Sequence, residues 1–343
     1  MKLTYETICV KLKHTFRTSR ESSDSRRNVI CKVQHQELEG LGEAAPSTYY
    51  GQDAQTVVAA LEGMACRLGE NPFVLEDLTS EMARFFPGEA AARAAVDMAL
   101  HDIVGKLLGL PLYRLLGLDP RKTPKTSVTV GLDTIEAMQE RARELGQIPI
   151  LKIKLGTGRD VEIVEAIRQV TQAVIRVDAN AAWTAQEALE KISRLREHGI
   201  QFVEQPLAAD DLEGLRWLKK KVDVPIILDE SVRAAADIPG LIHCADGINI
   251  KLMKCGGLRE ALRMIHVARA LDLKVMLGCM LESSLAVTAA AHLSPLVDYA
   301  DLDGPWLIKD DPYSGVDVVD GKLALPERPG LGVVISEGRE KGR

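Results

Sequence analysis

Between residues 126 and 301, short apolar runs alternate with amphipathic stretches, and this rhythm predicts a repeated strand–helix unit. The apolar runs return roughly every 25 residues. Eight strands are predicted, at residues 127–132, 151–155, 174–178, 201–204, 225–229, 247–251, 274–277 and 299–301. The clearest helices are at 184–198, 211–221 and 258–270. Eight strands alternating with about seven helices indicate an α/β fold with a closed parallel barrel.

A doubly wound open sheet is the competing arrangement for such a pattern. That fold requires a reversal of strand order, which nothing in the sequence marks. It also usually carries a glycine-rich turn after its first strand, and the turn at Gly131, Leu132 and Asp133 does not have this composition. We therefore favour the barrel.

The N-terminal part has a different pattern, with strands first and helices afterwards. Residues 2–13 and 27–35 alternate roughly between apolar and polar positions, which predicts a small antiparallel sheet. Residues 54–68 and 90–116 show the spacing of amphipathic helices. Residues 15–28 are rich in Arg, Ser, Glu and Asp without periodicity, so we predict a mobile loop there.

After Pro312 the pattern returns to short strands, at residues 316–319 and 322–326. We expect this tail to pack back on the N-terminal sheet. The predicted organisation is an α+β domain at 1–122, a barrel domain at 123–312 and a returning tail at 313–343.

Composition narrows the possible functions. The 343 residues carry a formal net charge of −6, which argues against general binding to nucleic acid or to an anionic membrane. No run of about 18 apolar residues predicts a membrane span. The six cysteines are scattered without a CxxC pair or zinc spacing, and no signal peptide is visible, so we expect a cytoplasmic protein.

Charged residues stand at the carboxyl ends of several predicted barrel strands, although strands buried on both faces should be apolar. One such charge could simply lie in a loop and face water, but charges at six of the eight strand ends make that explanation a poor one. In a parallel barrel these strand ends converge on one mouth, where active sites lie. The charged residues concerned are Lys152, Lys154, Asp178, Glu204, Asp229, Lys251, Asp301 and Asp303.

Three of these carboxylates, Asp178, Glu204 and Asp229, come from consecutive strands and would repel one another without a cation. Their oxygen-only donor set suits Mg²⁺ better than zinc. A lysine close to such a cation should have a lowered pKa and could act as a base. With Lys154 on one side and Lys251 on the other, the site could remove a proton next to a carboxylate and return one to the opposite face, through an enediolate that the metal stabilises.

These motifs resemble the enolase superfamily, specifically its muconate-lactonizing subgroup. Residues 91–102 and 109–117 are similar to the family's capping-domain helix and its continuation. The strand-end motifs are KxK at Lys152 and Lys154, DAN at Asp178, EQP at Glu204, DES at Asp229 and NIKLMKCGG around Lys251. The resemblance implies a modified TIM barrel, (β/α)7β, with an α+β capping domain built from the N-terminus and the C-terminal tail.

Within the subgroup, the DxD at Asp301 and Asp303 is similar to the dipeptide epimerases, where it holds the ammonium of the N-terminal residue. The resemblance implies an isomerase that inverts the α-carbon of the second residue of a dipeptide, such as L-Ala-D/L-Glu. Lys154 and Lys251 would be the acid/base pair, and Lys152 would stabilise the enediolate. Mg²⁺ would be bound by Asp178, Glu204 and Asp229. Substrate contacts would come from Thr129, Lys152, Cys279, Met280, Leu281, Asp301 and Asp303.

The side chain of the second residue would be met by residues 15–28, where Arg20 is our candidate for a glutamate carboxylate. If Glu21 or Asp24 points inward instead, a cationic second residue would be preferred, and a hydrophobic one is a further alternative. A lyase of the o-succinylbenzoate synthase or muconate cycloisomerase type, and a non-catalytic barrel, are the other candidates. Self-association into a homo-oligomer is expected by analogy alone.

Overall fold

The computed structural model describes residues 1–336, and its N-terminal part is an antiparallel sheet covered by helices. The sheet has the order β1-β2-β3, with β1 at Lys2–Arg17, β2 at Ser22–His35 and β3 at Leu38–Ala44. The helices are α1 (Ala54–Ala65), α2 (Leu75–Phe85), α3 (Ala90–Leu108) and α4 (Leu112–Leu115).

Helix α3 is buried over almost its whole length, from Ala90 to Gly105. It packs directly on β3, because a Cβ atom at Gly42 would collide with the carbonyl oxygen of Ala95. Small residues on both elements therefore let sheet and helix approach backbone to backbone. The strands predicted at 2–13 and 27–35 and the helix predicted at 54–68 are present. The helical stretch predicted at 90–116 is interrupted after Leu108, where Gly109 takes a left-handed conformation, and α2 was not predicted.

The predicted mobile loop at residues 15–28 is wrong. These residues extend β1 and begin β2, so that Phe16 pairs with Ser23 and Arg17 with Ser22 after an irregularity that follows Lys11. The hairpin projects beyond the body of the sheet, and both of its faces carry polar residues. The apolar alternation that reveals a strand in sequence is absent there, while the backbone pairing continues. The hairpin contacts the barrel, since the Leu132 N–H donates to the Arg17 carbonyl at 2.9 Å.

The barrel consists of eight parallel strands that are neighbours in chain order. They are β4 (Val128–Val130), β5 (Ile150–Lys154), β6 (Val174–Asp178), β7 (Ile200–Glu204), β8 (Ile226–Leu228), β9 (Gly247–Ile250), β10 (Lys274–Gly278) and β11 (Tyr299–Asp301). A parallel bridge between Thr126 and Ala300 closes the ring. The predicted strands are confirmed to within one or two residues at each end, and so is the α/β barrel with its capping sheet.

Helical segments cover the outside of the ring. They are α5 (Ile135–Glu144), α6 (Asp160–Arg168), α7 (Ala185–Leu195), α8 (Leu212–Lys219), α9 (Leu252–Cys255), α10 (Leu258–Ala270) and α11 (Ser284–Ala291), and α12 (Gly304–Leu307) follows the last strand. After β8 a 3₁₀ helix, Ala235–Leu241, replaces the expected α-helix. None of the helices in the described part is long and apolar enough to cross a membrane.

The tail forms two small strand pairs, β12 (Tyr313–Ser314) with β15 (Val334–Ile335) and β13 (Asp317–Val319) with β14 (Lys322–Ala324). It returns to the N-terminal domain, where Gly330 exchanges backbone hydrogen bonds with Leu110 and Leu112 beyond the end of α3. The Leu331 N–H donates to Asp102 of α3 at 2.8 Å, and the Leu331 carbonyl lies 3.0 Å from a ring nitrogen of His292. The tail thus lies between α3 and the barrel, where Leu331 supplies hydrogen-bond partners to the buried side chains of Asp102 and His292. Residues 337–343 lie outside the described residues, and the domain limits stay a prediction.

Candidate active site

The barrel brings the predicted strand-end residues to one mouth. Lys152 and Lys154 lie on β5 and point to the same side, because successive strand residues alternate between faces. Lys154 pairs in register with Asp178, and Asp178 pairs with Glu204 on the next strand. Asp229 follows β8 directly. Their side chains are almost completely buried, so their charges depend on one another rather than on water.

Lys152 lies at the centre of the acids. Its Nζ is 2.8 Å from both Asp301 Oδ2 and Glu204 Oε2, and 3.1 Å from Asp178 Oδ2. Burial by itself lowers the pKa of this ammonium, but the three carboxylates outweigh burial and raise the pKa well above its usual value. Lys152 therefore remains a fixed positive charge in this structure.

Lys154 and Lys251 lie at opposite ends of the carboxylate row. Lys154 Nζ donates to Asp178 Oδ2 at 2.7 Å, and Lys251 Nζ donates to Asp229 Oδ2 at 2.8 Å. Burial lowers the pKa of Lys251, but the carboxylate of Asp229 reverses this and raises it above its usual value. The expected lowering by a bound cation stays a prediction, because in this structure the ammonium of Lys251 contacts the Asp229 carboxylate directly.

The three acids differ in their pKa values. Burial would raise all three, but lysine contacts hold the pKa values of Asp178 and Asp229 below their usual range. Burial and the charge of Asp178 raise the pKa of Glu204 to about 7. Its Oε2 atom lies close to Lys152 but has no well-aligned hydrogen bond from the described residues. Glu204 is thus the acid whose charge is least compensated.

Across residues 1–336, no three acidic, histidine or cysteine side chains are grouped closely enough to hold a metal ion as they stand. The acid oxygens are turned to lysine ammonium groups instead. The donor set still fits a hard divalent cation, because it consists of buried carboxylates on consecutive strands. The ammonium of Lys152 already shows that a cation contacts Asp178 and Glu204 together. Glu230, next to Asp229, has a buried oxygen without a hydrogen-bond partner in the described part of the chain.

The two acids of the DxD have different environments. Asp301 accepts hydrogen bonds from Lys152 at 2.8 Å and from the Ser127 hydroxyl at 2.6 Å, so both of its oxygens are engaged. Asp303 accepts from the Thr129 N–H at 2.7 Å through Oδ2, and among residues 1–336 its Oδ1 is contacted by the Cys279 thiol at 3.7 Å. The Thr129 side chain also interacts with this carboxylate. Burial and the charge of Asp301 raise the pKa of Asp303 to about 6. Asp303 is therefore the acid with capacity for a ligand.

A cavity of about 320 Å³ opens above these residues. Its walls include the predicted substrate residues Thr129, Arg20, Cys279, Met280, Leu281, Asp301 and Asp303 together with all three lysines. Arg20 reaches the cavity from the hairpin that was predicted as a loop. Its guanidinium is 2.5 Å from Glu230 Oε1 and lies over the ring of Tyr49.

Sequence comparisons place these features in a known group. A family model described as "Enolase C-terminal domain-like" matches residues 133–339, and one for the N-terminal domain of mandelate racemase / muconate lactonizing enzyme matches residues 3–117. The chain belongs to the mandelate racemase / muconate lactonizing enzyme family. The predicted enolase-superfamily membership is thereby confirmed.

Relatives within this family are similar over nearly the full length. An L-Ala-D/L-Glu epimerase of Bacteroides thetaiotaomicron is 42% identical over 97% of this chain and 88% of its own length. The substrate-liganded L-Ala-D/L-Glu epimerase of Bacillus subtilis superposes with a TM-score of 0.93 at 32% identity, covering 97% and 99% of the two chains. The structure of the dipeptide epimerase of Enterococcus faecalis with Mg and L-Leu-L-Tyr superposes with a TM-score of 0.92 at 35% identity, covering 97% of this chain and 98% of the other.

Two further residues of this family member contact the acids and were not singled out from the sequence. Lys254 is buried and donates to Asp229 Oδ1 at 2.5 Å. The Asn249 amide donates to Glu204 Oε1 at 2.8 Å. Lys254 comes three residues after Lys251, on the short helix α9, so a helical turn returns it to the same carboxylate. A second lysine at that spacing was the signal that could have indicated it.

Proposed function

We propose that this chain is a magnesium-dependent dipeptide epimerase, an isomerase that inverts the α-carbon of the second residue, with L-Ala-D/L-Glu as the reference substrate and an acidic second residue favoured. The observation that carries the proposal is the buried row of three carboxylates with Lys154 at one end and Lys251 at the other. Two lysines in these positions can serve opposite faces of one carbon. The epimerase relatives support the same activity.

Lys154 and Lys251 are the proposed acid/base pair. One lysine removes the α-proton of the second residue, and the other delivers a proton to the opposite face of the same carbon. Lys152 lies between them and offsets the negative charge that develops on the substrate carboxylate. Asp178, Glu204 and Asp229 would bind Mg²⁺, which supplies positive charge next to that carboxylate when it is bound.

The dipeptide's other end is proposed to bind at the DxD. Asp303 receives the ammonium, because its Oδ1 is the oxygen that remains available, while Asp301 holds Lys152 in place. Thr129, Cys279, Met280 and Leu281 form the surrounding wall. Substrates of o-succinylbenzoate synthase or muconate cycloisomerase type have no ammonium, and would leave this buried acid uncompensated.

Arg20 is the proposed partner of an acidic second residue. In the structure it pairs with Glu230, so a substrate carboxylate would compete with Glu230 for the guanidinium. If Glu230 retains Arg20, uncharged or hydrophobic second residues would be favoured. If Glu230 is released, it could receive a cationic second residue. These alternatives concern specificity and share one reaction.

Incubation of the Mg²⁺-loaded protein in D₂O with a dipeptide panel tests the proposal. We expect deuterium at the α-carbon of the second residue, faster with L-Ala-L-Glu than with L-Ala dipeptides that have a neutral or cationic second residue, together with formation of the L-Ala-D-Glu epimer. Arg20→Gln should slow L-Ala-L-Glu more than L-Ala-L-Met, whereas Arg27→Gln, at an exposed position of β2 outside the cavity lining, serves as the control. Absence of deuteration with every dipeptide would refute the epimerase. Turnover of a cyclohexadiene or lactone substrate instead would favour the lyase alternative.

We also propose a cytoplasmic location and self-association. Six cysteines, all present as free thiols, are compatible with a reducing compartment. Sedimentation of the purified protein would establish whether it forms a homo-oligomer.

A further inference from the structure

A second cavity of about 300 Å³ lies beside the first, between strand β4, helix α5 and the base of the hairpin. The two cavities share Phe16, Thr129 and Leu307 in their walls. The second cavity therefore adjoins the active site at these three residues. None of the catalytic lysines or metal-site acids lines it.

The proposed ammonium site leads directly to this shared wall. Thr129 donates its N–H to Asp303 Oδ2 at 2.7 Å, so the open Oδ1 atom of the same carboxylate is held close to the Thr129 backbone. In an α-amino acid the side chain and the ammonium leave the same carbon. A dipeptide whose ammonium binds Asp303 thus has its N-terminal side chain beginning near Thr129, Phe16 and Leu307.

Much of the second cavity's lining is apolar. Its apolar lining consists of Phe16, Val130, Leu132, Met138, Trp306 and Leu307. The charged residues at its rim are already paired, since Arg17 contacts Asp133 at 2.6 Å and Arg141 contacts Glu144 at 2.8 Å. The rim acid Glu140 is paired with Arg143 in the same way. These pairs leave apolar contact as the main interaction that the cavity offers.

We propose that this cavity receives the side chain of the N-terminal residue and selects an aliphatic or thioether chain larger than the methyl group of alanine. The inference rests on the proposed epimerase activity and specifies its substrate class. An alanine methyl would leave the cavity's apolar walls without contacts, while leucine or methionine would bury additional apolar surface there.

A series of L-Xaa-L-Glu dipeptides tests the inference, with Ala, Val, Leu, Met, Phe and Lys as the first residue. We expect kcat/KM for deuterium exchange to be about tenfold higher for Leu or Met than for Ala. Equal or lower values for Leu and Met would overturn the inference, and so would a preference for Lys, which would indicate recognition by the rim acids.

A variant separates the cavity from the rest of the site. Ala137→Phe introduces a ring from helix α5 into the lining, and we expect it to reduce the Leu-to-Ala ratio of kcat/KM at least about fivefold. Ala270→Phe, at the exposed end of α10, is the matched control and should leave the ratio unchanged. An unchanged ratio in Ala137→Phe would contradict the subsite. If no dipeptide of either series is deuterated, the epimerase proposal itself fails, which is a different result from exchange without Leu preference.

Discussion

Lys254 Nζ lies 2.5 Å from Oδ1 of Asp229, while Lys251 holds the other oxygen of the same carboxylate. Lys254 also donates to the carbonyls of Val232 and Asn249, at 3.1 and 3.0 Å. The single ammonium therefore connects the loop after β8 to the end of β9. A buried charge with this many acceptors fixes the carboxylate in orientation as well as in charge.

Replacing Lys254 by methionine should destabilise the protein strongly. The change retains much of the side-chain volume but leaves the Asp229 carboxylate and the carbonyls short of a donor. Breaking a buried pair in this way costs roughly 3–5 kcal/mol in the free energy of unfolding. Urea denaturation would measure it, with Lys219→Met at the partly exposed pair with Asp246 as control, where at most about 1 kcal/mol is expected. If Lys254→Met lowered the free energy of unfolding by less than the control value, the contacts of the Lys254 ammonium would not stabilise the fold.

Removing either lysine of the proposed acid/base pair should stop epimerisation but still allow the remaining lysine to exchange the α-proton of one epimer with solvent. In Lys154→Ala and in Lys251→Ala we expect epimerisation to fall by about 10²–10⁴-fold. Each variant should still exchange the α-proton of at most one epimer, and the two variants should differ in which one. Mass spectrometry of the separate L,L and L,D dipeptides in D₂O distinguishes them. If both variants exchanged the same epimer, the two lysines would not serve opposite faces.

The pKa of Asp303 predicts how substrate affinity depends on pH. Burial and Asp301 raise this pKa to about 6, and only the ionised carboxylate can pair with an ammonium. KM for a dipeptide should therefore rise as pH falls through 6, by about tenfold between pH 7 and pH 5. Asp303→Asn should raise KM at pH 7 and remove this dependence. An N-acetylated dipeptide, tested as a competitive inhibitor, has no ammonium and should not follow the same curve; if it did, another group would be titrating.

Glu282 predicts a pH effect on stability. Burial raises its pKa from 4.5 to about 8, although it accepts a hydrogen bond from the Met280 N–H. The folded protein thus keeps a proton that the unfolded chain releases, so this group's contribution is fully favourable below about pH 4.5 and is lost as pH rises towards 8.

Glu282→Gln should remove that loss. Relative to wild type, the variant should gain at least about 1 kcal/mol in the free energy of unfolding between pH 5.5 and pH 8.5. Denaturant unfolding at the two pH values measures the difference, and Glu213→Gln on the exposed first turn of α8 is the control. A constant difference between variant and wild type would mean that Glu282 is ionised in the folded state throughout this range.

The sequence predicted the barrel and the acids at its mouth because a buried strand tolerates almost only apolar residues. Asp178, Glu204 and Asp229 stand out for that reason, and the chain order of parallel strands then requires them to be neighbours. Residues 18–21 and the strands that flank them gave no such signal, because polar residues on both faces of a projecting hairpin conceal its pairing.

The sequence by itself therefore determined the fold, the row of charges and the kind of chemistry those charges support. Only the tertiary structure decided how the charges are shared. Asp301 and Asp303 are equivalent in the DxD pattern, but Lys152 and Ser127 engage the first and leave an oxygen of the second open. Lys152 and Ser127 are far from Asp301 in the chain, and they meet it only because the ring closes and its interior excludes water. Neither effect produces a periodic pattern in the sequence.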